Sequence, residues 1–267
     1  MKRKLSEFYL QSRVLTALIS IPLLLLAIFL GPSTFYAIWA LIWYYMYMEM
    51  SDLMDLSPHL KDYMLYLGVL LLILTAGLSS LPFFHSWLVM GLWFLFPVCI
   101  FLILIAEKTI TKLLPPFYLL YITLPVFFLF VIYENQGPWA IVLLLLSSWI
   151  VDTLSYFTGI LVGRHPVAPQ LSPKKTIEGA LGGILGIVMI FPLLLKWIPM
   201  PLDGINPYGM GLLLALSAFT GDLFESYIKR SFGKKDSGTI LKGHGGMLDR
   251  FDSFLFIAFV YAIIFIK

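Results

Sequence analysis

Nine apolar runs, most of them near the roughly 17 to 25 residues that carry a helix across a bilayer, fill most of this 267-residue chain. They are Val14–Leu30, Thr34–Met48, Tyr63–Gly77, Ser86–Ala106, Phe117–Ile132, Trp139–Val162, Gly179–Ile198, Tyr208–Phe224 and Phe251–Ile266. Between them lie turn-forming pairs and prolines: Gly31-Pro32, Ser57-Pro58, Pro115-Pro116, Gly137-Pro138, Pro199 and Asn206-Pro207. No soluble core could enclose so much hydrocarbon. Charged residues make up 12% of the chain, against roughly 25% in soluble domains. The expectation is an all-α polytopic membrane protein of about nine transmembrane helices, forming a single domain over residues 1–267. The one cysteine, Cys99, rules out an intrachain disulfide.

Charge placement orients the array. Residues 1–13 interleave Lys2, Arg3, Lys4 and Arg13 with Leu5, Phe8, Tyr9 and Leu10, a pattern that suits an interfacial segment on an anionic leaflet. Val14–Leu30 is long for a signal sequence and ends without a small-x-small cleavage site, so it reads as a retained helix. With the N-terminus cytoplasmic and the C-terminus outside, every Lys and Arg except Lys196 and Lys267 falls on the inner side. The two most polar loops, 163–178 and 225–250, then share the cytoplasmic face. The acidic segment Glu49–Asp62 reads as a solvated loop capping two helices rather than a metal site.

Four features carry candidate chemistry. Asp152 lies inside an apolar run, where a carboxylate costs about 2.5–3.5 kcal/mol unless it faces a polar cavity or partner. Ser148 and Tyr156 share its helical face. Ser172-Pro173 reads as a helix start. It would place Lys174 and Lys175 in a first turn, where a bound anion would relieve their conflict with the helix dipole. Gly179, Gly182, Gly183 and Gly186 form small-xxx-small pairs better suited to close helix packing than to ligand contact. The fourth feature is Ser217–Asp252, with five acidic residues and six Lys or Arg. There Asp222, Glu225, Ser226 and Lys229 follow one helix face, and Glu225 is placed to pair with Lys229. Five glycines between Gly233 and Gly246 forbid a helix and let backbone amides approach an anion, with Lys234, Lys235 and Lys242 supplying charge. Asp249 and Asp252 stand three apart at the next helix start. These carboxylates beside a basic glycine loop suit Mg²⁺ on nucleotide phosphates. The lone His244 argues against zinc.

Ser226-x-x-Lys229-Arg230, Lys235-Asp236 and Gly243-His244-Gly245-Gly246-x-x-Asp249-Arg250-x-Asp252 together resemble the signature of the phosphatidate cytidylyltransferases, or CDP-diacylglycerol synthases. Ser172-Pro173-Lys174-Lys175-Thr176 resembles a second motif of that family. The resemblance implies that CTP and phosphatidic acid give CDP-diacylglycerol and pyrophosphate, in phospholipid biosynthesis at the inner membrane. It implies catalytic roles for Asp222, Lys229, Asp249, Arg250 and Asp252. Asp222 and Asp249 would be the principal Mg²⁺ ligands, with Asp252 and Asp152 as further ones and room for a second metal ion. Ser172, Lys174, Lys175, Thr176, Ser226, Arg230, Lys235 and the Gly243-His244-Gly245-Gly246 turn would bind substrate. Partners are the two substrates and the bilayer, with no nucleic acid; a homodimer is among the assemblies the sequence allows. Two other readings stand beside this one: a CTP-dependent polyprenol or phytol kinase, and an ion transporter using the intramembrane carboxylates.

Overall fold

The computed structural model describes residues 18–78, 115–198, 200, 204–238 and 245–265. They form eight helices and one hairpin: α1 (Leu18–Phe29), α2 (Pro32–Leu53), α3 (Pro58–Leu78), α4 (Pro115–Gln136), α5 (Pro138–Val162), β1 (Pro166–Ala168), β2 (Ser172–Thr176), α6 (Ile177–Trp197), α7 (Pro207–Ser231) and α8 (Leu248–Phe265). The glycine–proline pairs act as helix starts. Gly31 (φ 125°) and Gly137 (φ 79°) cap α2 and α5 in a backbone region that other residues seldom adopt, and proline follows where no amide hydrogen bond is needed.

Helix α4 is the centre. It is apolar on every side and buried continuously from Tyr121 to Tyr133, which is what a helix surrounded by others requires. Helices α2, α3, α5 and α8 pack around it. Trp39 stacks on Phe254 of α8, and Phe35 stacks on Tyr133. The second sub-bundle is α5, α6, α7 and α8, in which α5 packs on α6, α6 on α7 and α7 on α8. The α5–α6 contact is backbone-close. A Cβ on Gly179 would sit 2.8 Å from the Ser155 carbonyl, and one on Gly183 would sit 2.8 Å from that of Val151 and overlap Ser155 Oγ. The glycine row on α6 therefore serves helix packing, as its spacing predicts.

Among the described residues, four helices are long and apolar enough to cross a membrane: α3 over Pro58–Gly77, α4, α5 and α6. The nine expected spans are not reached among the described residues. Ser86–Ala106 lies outside them, as does the start of Val14–Leu30. Helix α2 is diluted by tyrosines and tryptophans, and α7 and α8 by the charged residues of the candidate site.

Candidate active site

The glycine-rich connection between α7 and α8 is organised by a residue from far away in sequence, Glu49. Sequence reading put it in a solvated loop. Instead it lies in the last turns of α2, only 3% exposed, on the same face as Ile42, Met46, Met50 and Leu53. Its carboxylate accepts hydrogen bonds from the amides of Met247 (2.7 Å) and Leu248 (2.8 Å), the free donors at the start of α8, and from Ser237 Oγ (3.1 Å). The loop glycines make that approach possible. A Cβ on Gly238 would lie 2.7 Å from Glu49 Oε1, and one on Gly246 2.5 Å from Oε2. These glycines do bring amides to an anion, and that anion is the protein's own carboxylate. The missed signal was present: Glu49 falls on the i, i+3, i+4, i+7 apolar face of its helix.

Asp249 closes the same turn from within. Its Oδ2 accepts from Gly246 N (2.8 Å) and Ser237 N (3.2 Å), and its Oδ1 meets Lys229 Nζ at 2.6 Å. Gly245 takes φ +84° there, and a Cβ on it would lie 2.7 Å from Asp249 Oδ2. Burial would raise the acid, but the Lys229 ammonium and the Gly246 amide outweigh it and hold Asp249 below the usual carboxylate range. Lys229 also pairs with the fully buried Glu225, as the four-residue spacing predicts. Burial alone would lower the lysine, yet its two carboxylate partners hold it above the ordinary range.

A second group of charges lies alongside. Lys175 from β2 reaches Asp222 on α7 (2.5 Å) and Ser226 Oγ (3.4 Å), joining the two polar loops. Asp252 on α8 is 7% exposed, with Oδ1 accepting from Ser253 N (2.6 Å). Its electrostatic neighbours include Asp222, Glu225 and Asp152, all of its own sign. Asp152 on α5 has Lys175 and Arg250 as opposing charges. Asp152, Asp222, Glu225, Asp249 and Asp252 thus share the region with Lys175, Lys229 and Arg250, and Glu49 lies beside the same turn.

Among the described residues no three His, Cys, Asp or Glu side chains converge tightly enough to hold a metal alone. That does not disqualify magnesium, which is commonly held by one or two carboxylates with phosphate and water oxygens completing the shell. The like-charged carboxylates around Asp252, with Asp252 and Glu225 buried, Asp222 half-buried and Asp152 exposed, fit a divalent cation, because bringing such groups together without one is costly. The donor set, all oxygen, suits a hard ion.

The structure moves several predicted residues. Ser172 does not start a helix. Residues Ser172–Thr176 are a strand paired antiparallel with Pro166–Ala168, and Thr176 caps α6 by accepting from Gly179 N (3.1 Å). The cap lost by Ser172 goes to the next hydroxyl with a suitable N3 amide, and strand alternation sends Lys175 to Asp222 while Lys174 stays exposed. Arg230 binds carbonyls, of Leu171 (3.1 Å) and Lys234 (3.0 Å), tying the hairpin to the end of α7. Lys235 is exposed at the loop surface. Gly243 and His244 lie outside the described residues. Tyr156, expected beside Asp152, faces outward, whereas Ser148 is buried.

The profile of the cytidylyltransferase family matches residues 11–266. The chain belongs to that family. Among curated relatives, it is similar to the phosphatidate cytidylyltransferase of Thermotoga maritima, 41% identical over 153 residues, 55% of this chain and 56% of that one. It is similar also to the phosphatidate cytidylyltransferase of Staphylococcus aureus strain COL, 42% identical over 124 residues, 46% of this chain and 48% of that one. The match spans about half the length of these curated relatives.

Proposed function

We propose that the chain is a phosphatidate cytidylyltransferase: it transfers the cytidylyl group of CTP to phosphatidic acid, giving CDP-diacylglycerol and pyrophosphate. The observation that carries this reading is the joining of the two polar loops by the Lys175–Asp222 pair, which gathers acids and bases beside an apolar cavity. The family and the relatives' names point the same way.

In the reaction a phosphate oxygen of the lipid attacks the α-phosphorus of CTP. The bond from that phosphorus to the bridging oxygen breaks, and pyrophosphate leaves with the electron pair. The attacking monoester is ionised at neutral pH, so no strong base is needed. The obstacle is the repulsion of two anions. Lys175, Lys229 and Arg250 are the cations placed to offset it, and the exposed Lys174 and Lys235 extend positive charge toward solvent. Asp222 and Asp249 would hold Mg²⁺, with Asp252 and Asp152 around them. For Asp249 this means exchanging its contact with Lys229. When bound, the ion supplies charge against the developing pyrophosphate.

The same reading places the site on the cytoplasmic side of the inner membrane, with nine spans, N-terminus in and C-terminus out. That rests on the distribution of Lys and Arg.

The test is an assay of purified protein with CTP and phosphatidic acid across a Mg²⁺ titration. Pyrophosphate and CDP-diacylglycerol should appear in equal amounts, and the reaction should stop without divalent cation. Asp222→Asn should lower turnover at least roughly a hundredfold, a loss of about 3 kcal/mol. Release of CDP with a phosphorylated alcohol would identify a kinase instead. Ion flux in liposomes that survives Asp249→Asn would identify a transporter.

A further inference from the structure

A cavity of about 630 Å³ opens beside the acid–base cluster. One end is charged, lined by Asp152, Asp249 and Arg250; elsewhere aliphatic side chains of α1 and α2 predominate, with Trp149 and Phe251 beside them and Ser20, Tyr45 and Thr153 as polar interruptions. A second groove of about 300 Å³ adjoins it, sharing Leu23, Ile38 and Leu41, and continues between the same two helices to Ala27, Thr34 and Ala37. The two are therefore one track, charged at one end and mostly apolar along its length. Their volumes lie in the range of pockets that enclose small-molecule ligands, roughly 300–1,000 Å³.

The far end of α1 is fixed to the bundle. Tyr133 donates to the Ile28 carbonyl (2.9 Å), Thr34 Oγ1 donates to that of Ala27 (2.9 Å), and the Phe29 ring meets Trp139 edge-on. Nearer its start, Leu18, Ile19 and Leu23 remain exposed. A mostly apolar groove that ends at two carboxylates able to share a divalent cation, beside the Arg250 guanidinium, matches one class of ligand, a hydrocarbon chain carrying a phosphate head.

We propose that the groove between α1 and α2 is an acyl-chain site. One chain of the phosphatidic lipid lies along Leu23, Ile38 and Leu41, its phosphate at the Arg250 end, and Ala27 and Ala37 set the length of chain accepted. This rests on the function proposed above. A chain leaving the bilayer for this groove gains no hydrophobic transfer energy, since both environments are apolar. Selection must come from fit, and fit is sensitive to added volume.

Two measurements test the proposal. In the first, turnover is compared for dioctanoyl and dioleoyl phosphatidic acid. Leu41→Trp, which fills the junction of cavity and groove, should shift the ratio of their KM values at least tenfold against the long chain. Ala37→Trp should shift it less, and Leu185→Trp, on the exposed face of α6, should leave the ratio as it is. Equal losses for both lipids with Leu41→Trp, or the same shift with Leu185→Trp, would overturn the site. The second measurement needs no turnover. Phosphatidic acid bearing a mid-chain diazirine is irradiated with the protein in vesicles without CTP, and the label is mapped. Label on peptides covering residues 18–42 supports the groove even if the protein made no CDP-diacylglycerol, an outcome that would sink the reaction alone. Label confined to other helices overturns the groove whatever the turnover.

Discussion

Two glycine clusters do different work in this protein. Those on α6 vanish into helix packing. Gly179, Gly182, Gly183 and Gly186 let α6 lie against the backbone of α5, and nothing polar depends on them except the fixed position of the hairpin they follow. Those in the α7–α8 connection surround a carboxylate. Gly238, Gly245 and Gly246 leave room for Glu49 and Asp249 to collect the amides at the start of α8. In the first cluster a missing Cβ shortens a distance between apolar elements. In the second it permits hydrogen bonds to ionised groups, which are worth roughly twice as much as neutral ones. The first should therefore register in stability and the second in turnover.

Four substitutions can break that contrast. Gly246→Val is the most severe. Its side chain would overlap Ser237 Oγ and Glu49, expelling a buried carboxylate from its donors, and turnover should fall roughly a hundredfold or more. Near-normal kcat would mean that the loop does not shape the site. Glu49→Ala should cost about tenfold in turnover, because the Met247 and Leu248 amides lose their acceptor while the backbone stays unobstructed. Glu49→Gln keeps a carbonyl acceptor and should recover part of that loss; if the two variants behave alike, hydrogen bonding at this point is irrelevant. Gly183→Ala should lower stability to detergent or heat by about 1–3 kcal/mol through contact with Val151 and Ser155, with KM for CTP little changed. A large KM effect there would erase the distinction between the clusters.

The sequence made the helices legible because apolar runs and glycine–proline breaks are local signals. Each of the seven predicted spans that lies wholly within described helices, or nearly so, overlaps one of them, and the packing role of the α6 glycines followed from their spacing. It also paired Glu225 with Lys229. It misplaced the start of α6. Ser172 and Thr176 are both competent caps, and only the pairing of Pro166 with Thr176 decides that the residues between them are strand. The family resemblance gives Arg230 a substrate-binding role; its contacts with the carbonyls of Leu171 and Lys234 are visible only once the hairpin is folded beside it. Glu49 was read as loop because its neighbours Asp52 and Asp55 are polar and its partners lie 198 and 199 residues away.

Composition and periodicity by themselves determined a membrane-embedded helical protein with its charge concentrated in two loops. They also determined which residues carry the charge, since each is excluded from hydrocarbon unless it has a partner. Tertiary structure alone decided which charges meet. It put Lys175 on Asp222 across 47 positions and Glu49 under the α8 amides, and it opened the α1–α2 groove beside Arg250. The reason is range. Burial preference acts on each residue where it stands, whereas a hydrogen bond or ion pair fails within an ångström and forms only after packing has fixed both partners.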